Sequence, residues 1–452
     1  MSAILQSLSI SSSQNANAAT AAQPPRHEVL HGDNKRFCPM AVDTIRETGL
    51  SDAFVESLVF KILLVKGNMT SRDVAHATAL PGKPIYTLLT ALKSQQLVYY
   101  RDSAAMGDFE YSLTEAGRAR ARLYMNDCSY TGPAPVPLES YIASVNAQGI
   151  TTVHPQEEDL RRAFGDLLID DSMFVRLGPA INSGMGLFLY GYPGNGKTSI
   201  AERITDCFGD DVWIPHAITC DGEIITLYNP QSHVLADASK QPDLDGGHLD
   251  RRWTLIRRPT IVVGGELTME ALDLRPNHRT NITEASLQLE SNTGTLVIDD
   301  FGRQRMSPIE LLNRWIVPLE KRYDFLGLAN GRKVRVPFDQ LIIFSTNLEP
   351  KDLVDEAFLR RIPYKINVVD PTEEQFRKLF DILAPRLKVE VTAGAIDHLI
   401  AKHYLATGRP FRCCQPRDLL LQIRNAALYV GKPAIATDES FNLACETYFT
   451  VL

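Results

Sequence analysis

The chain has 452 residues, 44% of them hydrophobic and 22% charged, with a formal net charge of -7. That length supports two or three hydrophobic cores, and the composition excludes a fibrous or wholly disordered protein. The acidic total argues against wholesale coating of nucleic acid while leaving room for a local basic face. Seven scattered cysteines without C-x-x-C spacing point to reduced thiols and a cytoplasmic location. No apolar run reaches the eighteen or so residues that span a bilayer, so no membrane partner is expected.

In chain order, residues 1–45 are rich in Ser, Ala, Asn and Gln, lack the basic start of a signal peptide, and read as a disordered tail. Residues 46–127 hold three helical patterns, the first behind Ser51, the second capped by Thr70 or Ser71, the third opened by Pro84 after the Pro81-Gly82 break. The segments "LVYY" and "FEYSLT" flank a Gly-containing turn, and "EAGRARARLYM" closes the unit as a helix. This pattern resembles a winged-helix domain. Such domains often read DNA through the third helix, where only Lys93 is basic here. Residues 1–135 carry 13 Lys and Arg against 12 Asp and Glu, no footprint for phosphate, so protein docking is expected ahead of DNA binding. Arg118, Arg120 and Arg122 spread around their helix and read as a solvated face. Residues 128–154, with "SYTGPAPVPLES", read as a Pro-rich, semi-rigid linker.

The chemistry begins at "GLFLYGYPGNGKTSIAERI". An apolar strand, Leu187 to Tyr190, leads through Gly191, Tyr192, Pro193, Gly194, Asn195 and Gly196 into a helix starting Lys197-Thr198-Ser199. Strand, G-x-x-x-x-G-K-T, helix is the context of a phosphate-binding loop. The glycines let backbone amides close around phosphate oxygens, Lys197 supplies a charge to the β and γ phosphates, and Thr198 offers a hydroxyl to Mg²⁺. A hundred residues on, "TLVIDD" ends a second buried strand with Asp299, suited to the Mg²⁺ shell, and Asp300, beside the attacking water. A third strand, "LIIFSTN", ends in Asn347, suited to orienting that water. "DEAFLRRIPYKI" presents Arg360 and Arg361, and "QPRDLLLQI" puts Arg417 at a helix start.

In this order the segments resemble an AAA+ ATPase: "GYPGNGKT" as Walker A, "TLVIDD" as Walker B, Asn347 as sensor 1, "FLRRI" as the arginine-finger region and "PRDL" as sensor 2. The resemblance implies an α/β fold with a P-loop AAA+ core and parallel sheet over residues 155–370, and a helical lid over 371–452 read as four helices. It implies ATP and Mg²⁺ as cofactors, and a homo-oligomeric ring, usually hexameric. In that ring one subunit's arginine, Arg361 first and Arg360 second, completes its neighbour's site. The nearest branch is that of the MoxR-like chaperones and enhancer-binding activators, in which a hairpin precedes sensor 1, and Asn330-Gly331 is a hairpin turn signal. No "GAFTGA"-type motif appears between the Walker motifs. That interval holds a second hairpin pattern at Asp221-Gly222 and a long polar loop whose Arg251, Arg252, Arg257 and Arg258 flank Trp253, read as lining a pore or gripping an acidic partner narrowly ahead of the default, a solvated charge cluster. The adjacent Cys413 and Cys414 read as small residues before a helix rather than a metal or redox pair.

Asp300 stands where this family usually has Glu. One methylene fewer withdraws the carboxylate by about 1.5 Å, and a general base must lie within roughly 2.6 to 3.2 Å of its water. A slow Mg²⁺-dependent ATPase that remodels a protein client, with the winged helix as adaptor, is therefore expected. The alternatives are a DNA-acting regulator or loader and a nucleotide-gated scaffold without hydrolysis.

Overall fold

The computed structural model describes residues 37–209, 211–237, 249–353 and 356–449. Most of the expected tail and part of the polar loop lie outside the described residues. None of the helices among them is long and apolar enough to cross a membrane.

Helix Asp52–Lys66 starts where Ser51 Oγ accepts the Phe54 N–H at 3.2 Å, and stops at Gly67. Helix Ser71–Thr78 opens with a reciprocal Thr70–Asp73 capping box, and Gly82–Ser94 follows. The last begins early enough to include Lys83 as well as Lys93. A three-stranded antiparallel sheet puts Phe109–Leu113 between Met69–Thr70 and Val98–Ser103, and helix Glu115–Asp127 closes the unit. Val55, Leu58, Val59, Ile62, Val74, Ile85, Leu89 and Tyr111 form its core.

The α/β body is built on a five-stranded parallel sheet in the order Thr260–Val263, Thr295–Ile298, Leu341–Thr346, Leu187–Tyr190, Tyr364–Asn367. Thr295–Ile298 and Leu341–Thr346 are buried at every position, and Leu187–Tyr190 at all but its last, as continuous apolar runs require when helices cover both faces. One face packs on Leu177, Ile181, Ile200 and Ile204, the other on Trp315, Phe338, Phe301 and Leu312. Burying each large side chain contributes roughly 1.5–3 kcal/mol. Helices Glu373–Leu387, Ala395–Ile400, Gln415–Tyr429 and Asp438–Tyr448 then pack around Phe376, Phe380, Leu399 and Leu419.

A second five-stranded sheet runs Arg275–Asn277, Ile282–Glu284, Glu223–Thr226, Ala217–Cys220, Val136–Pro137. The Asp221-Gly222 turn has positive φ at both residues (51° and 85°), the geometry of a tight hairpin. A second hairpin pairs Tyr323–Gly327 with Lys333–Pro337 around Gly331, at φ 81°. The Glu223 carboxylate accepts the N–H groups of Ala329 (3.1 Å) and Asn330 (2.9 Å), clipping one hairpin tip to the other.

Two expectations are corrected. Residues 128–154 do not hang as a linker: Val136–Pro137 joins the second sheet, and helix Leu138–Gln148 buries Leu138, Tyr141 and Val145 among Val212, Ile218 and Leu289. The prolines end the backbone pairing early, yet the apolar residues among them find a core. The arginines around Trp253 do not form a gripping cluster either. Arg252 is buried, forks onto both Asp250 oxygens, and donates to Thr48 O (2.9 Å) and Pro135 O (3.3 Å). Arg258 donates to Gln148 O and Thr293 O, Arg257 pairs with Asp237, and Trp253 is buried against Phe37. The planar Arg252 fork gives buried Asp250 and the two carbonyls their hydrogen bonds, as interior polar groups require.

Candidate functional site

Three neighbouring parallel strands end on one edge of the central sheet, the edge where α/β proteins take ligands. From Leu187–Tyr190 the chain turns through Gly191 (φ 140°) and Gly194 (φ 85°) into helix Lys197–Ile204. A Cβ on Gly191 would lie 2.4 Å from Val368 O, and one on Gly194 would lie 2.6 Å from Cys414 Sγ, so the turn closes only without side chains there. Tyr192, Pro193 and Ser199 are exposed, whereas Asn195 and Lys197 are buried.

Lys197 Nζ donates to Gly191 O and Tyr192 O, both at 3.0 Å, and to Asn347 Oδ1 at 2.7 Å. Asn347 Nδ2 donates in turn to Asp300 Oδ1 at 3.0 Å. The cation demands the amide oxygen and the carboxylate demands the amide nitrogen, so the two partners fix the orientation of the Asn347 amide. In parallel, Thr198 Oγ1 donates to Asp299 Oδ2 at 2.9 Å. Residues more than a hundred positions apart thus meet because strand Leu341–Thr346 is inserted between the other two.

Asp300 adopts φ 49°. Its neighbours are pinned: Asp299 N–H donates to Val263 O (2.8 Å) and Phe301 N–H to Ser345 O (2.7 Å), so the chain bulges outward between two strands. Left-handed backbone at a non-Gly residue costs about 1–2 kcal/mol, least for Asp and Asn. Gln304 Nε2 caps the bulge, donating to Asp299 O (2.9 Å) and Asp300 O (3.1 Å). Sequence reasoning passed over Gln304 because nothing local marks it.

Burial pulls the Lys197 ammonium below the ordinary lysine range; the Asp299 and Asp300 carboxylates oppose that, and the Arg412 charge adds to it. All three direct hydrogen-bond partners of this buried cation are neutral oxygens, so an anion complements the site. A hydroxyl beside a carboxylate is the hard oxygen donor set that suits Mg²⁺. The residues present fit a magnesium-bound polyphosphate.

The arginines divide. Arg360 is exposed; Arg361 Nε donates to Glu320 Oε1 of the same chain at 2.6 Å. Arg417 is exposed and pairs with Asp418 at 3.2 Å. The guanidinium brought onto the loop is Arg412, whose Cζ lies 4.3 Å from the Tyr192 ring centroid and which pairs with Asp370. No motif announces Arg412. Burial pushes the Cys413 thiol up to about 11, which keeps it neutral, and no three His, Cys, Asp or Glu among the described residues gather as a metal site.

A family model described as "Domain of unknown function (DUF8689)" matches residues 372–447, the four-helix segment. No curated protein matches the chain. Among solved structures it is similar to Thermotoga maritima RuvB, a Holliday junction branch migration motor, at 14% identity and TM-score 0.35, covering 65% of this chain and 69% of that one. A point mutant of that protein gives 13% identity and TM-score 0.35 over 65% and 70% of the two chains. The AAA domain of FIGL-1 gives 14% identity and TM-score 0.33 over 69% and 87%. The chain itself has an α/β fold built on a five-stranded parallel sheet.

Proposed function

We propose that this chain is a Mg²⁺-dependent, ATP-hydrolysing AAA+ ATPase that works as a homo-oligomeric ring and remodels a protein client. The observation that carries the reading is the unbroken run Lys197–Asn347–Asp300 beside the Thr198–Asp299 bond, at the carboxyl ends of adjacent strands. Lys197 and the amide groups at the head of its helix would bind the triphosphate, while Thr198 and Asp299 would hold the metal. Bound Mg²⁺ would supply positive charge against the phosphate groups. Asn347 orients the attacking water, and Asp300 accepts its proton. Asp300 already takes a hydrogen bond from Asn347, so it is aimed at the same region despite its short arm. Arg360 or Arg361 reaches a neighbouring subunit; Arg361 would first leave Glu320.

The three-helix unit with its antiparallel sheet supports a winged-helix adaptor, packed on the second sheet through Ala217 and Ile224. Protein docking is favoured there because the exposed positions of Gly82–Ser94 are mostly neutral, with Lys83 and Lys93 the only charges.

The experiment is phosphate release measured against protein concentration, for the native chain and for Asp300→Asn. Specific activity should rise as subunits associate, and Asp300→Asn should bind nucleotide and stop turning over. Binding without any hydrolysis in the native chain would instead favour the nucleotide-gated scaffold.

A further inference from the structure

The lid reaches the phosphate loop at one corner. Cys414 N–H donates to Gly194 O at 2.8 Å, and Cys413 N–H donates to Asn195 Oδ1 at 3.4 Å. Asn195 Nδ2 donates to Asp370 Oδ1 at 2.6 Å, and the same oxygen takes the Arg412 guanidinium. The Arg412 fork also lies over the Tyr192 ring. Asp370 itself stands between the last strand of the sheet, which ends at Asn367, and the lid's first helix, capped by Thr372. One carboxylate oxygen at the hinge is thus shared by the loop and the lid.

Asn195 is buried, so its amide must be satisfied inside the protein. Its donor end uses the hinge and its acceptor end uses the lid backbone. Arg412 is pre-oriented from behind: its backbone N–H donates to Gln415 Oε1 at 2.8 Å, and that oxygen also takes Tyr404 O–H at 3.1 Å. Moving the lid would therefore strip partners from a buried loop side chain and unstack Arg412 from Tyr192. Such a loss is costly enough to couple the two positions.

Building on the nucleotide reading above, we propose that Arg412 is a positioning residue that sets the shape of the phosphate loop through Asp370 and Tyr192, making lid position and nucleotide affinity one coupled equilibrium. The side chains of Arg412 and Asp370 are 16% and 30% exposed, so the pair is only partly screened by solvent.

The test is a double-mutant cycle on the full chain, with Arg412→Ala, Asn195→Ala and both together. Affinity is read with a fluorescent ATP analogue, kcat and KM by phosphate release, and folding by thermal melting. Arg412→Ala should raise KM about tenfold, the range expected for one charge-assisted contact, and lower kcat by less than about threefold. The double mutant should lose far less than the product of the singles, because both act through one oxygen. Asp370→Asn keeps an acceptor for Asn195 but weakens the hold on Arg412; it should reproduce the KM effect, and serves if Arg412→Ala does not fold. Additive losses, or lower melting with unchanged affinity, would overturn the coupling and leave a plain structural staple. A native chain that binds no nucleotide would sink the nucleotide reading itself, a separate result.

Discussion

Asn347→Ala removes the side chain that, among the described residues, links the Lys197 ammonium to the Asp300 carboxylate. The structure loses an acceptor 2.7 Å from Lys197 Nζ and a donor 3.0 Å from Asp300 Oδ1. A hydrogen bond to a charged group contributes about 1.5–3 kcal/mol. Lys197 keeps Gly191 O and Tyr192 O, so its loss falls at the low end. Asp300 is exposed, and water replaces much of what it loses. The net effect on the barrier is about 1.5–2 kcal/mol, or roughly 10- to 30-fold in kcat. Nucleotide affinity should fall much less, because the loop carbonyls still hold the ammonium in place. Single-turnover and steady-state phosphate release, with a parallel binding titration, separate the two effects. An unchanged kcat, or an affinity loss larger than the kcat loss, would refute a role for Asn347 in orienting the attacking water.

Further outcomes follow from groups far from the site. His233 is buried, with Nδ1 accepting from Asn229 N–H (3.1 Å) and Nε2 donating to Glu290 O (2.9 Å), and burial holds both it and His216 below the ordinary histidine range. Folded-state values depressed in this way mean that the unfolded chain binds more protons, so stability is full above the unfolded pKa of 6.5 and falls as pH drops below it; a melting temperature flat from pH 8 to pH 5 would contradict this. Arg252→Ala leaves Asp250 buried without its partner and strands Thr48 O and Pro135 O, which should cost about 3–5 kcal/mol in denaturant unfolding. The same variant should show earlier protease cleavage near residue 135, and a loss under about 1 kcal/mol would show the fork to be replaceable.

What the sequence alone determined is local. The strand, glycine turn and helix around Lys197 follow from neighbouring residues, as do the caps at Ser51 and Thr70 and the turns at Asp221-Gly222 and Asn330-Gly331, because each rests on backbone preferences and hydrogen bonds spanning a few positions. Asp299 and Asp300 were legible for the same reason, as acids ending an apolar strand. Strand order, by contrast, is a tertiary choice, and it puts Asn347 between the loop and those acids. Only docking of the C-terminal helices lifts Arg412 onto Tyr192, while Arg417, the residue with the motif, turns to Asp418. Residues 128–154 and Arg252 read as linker and free charge until distant partners, Ile218 and Thr48 among them, gave them an interior. Proline content and charge describe a residue's cost of burial; whether the surroundings offset that cost is settled by contacts far away along the chain.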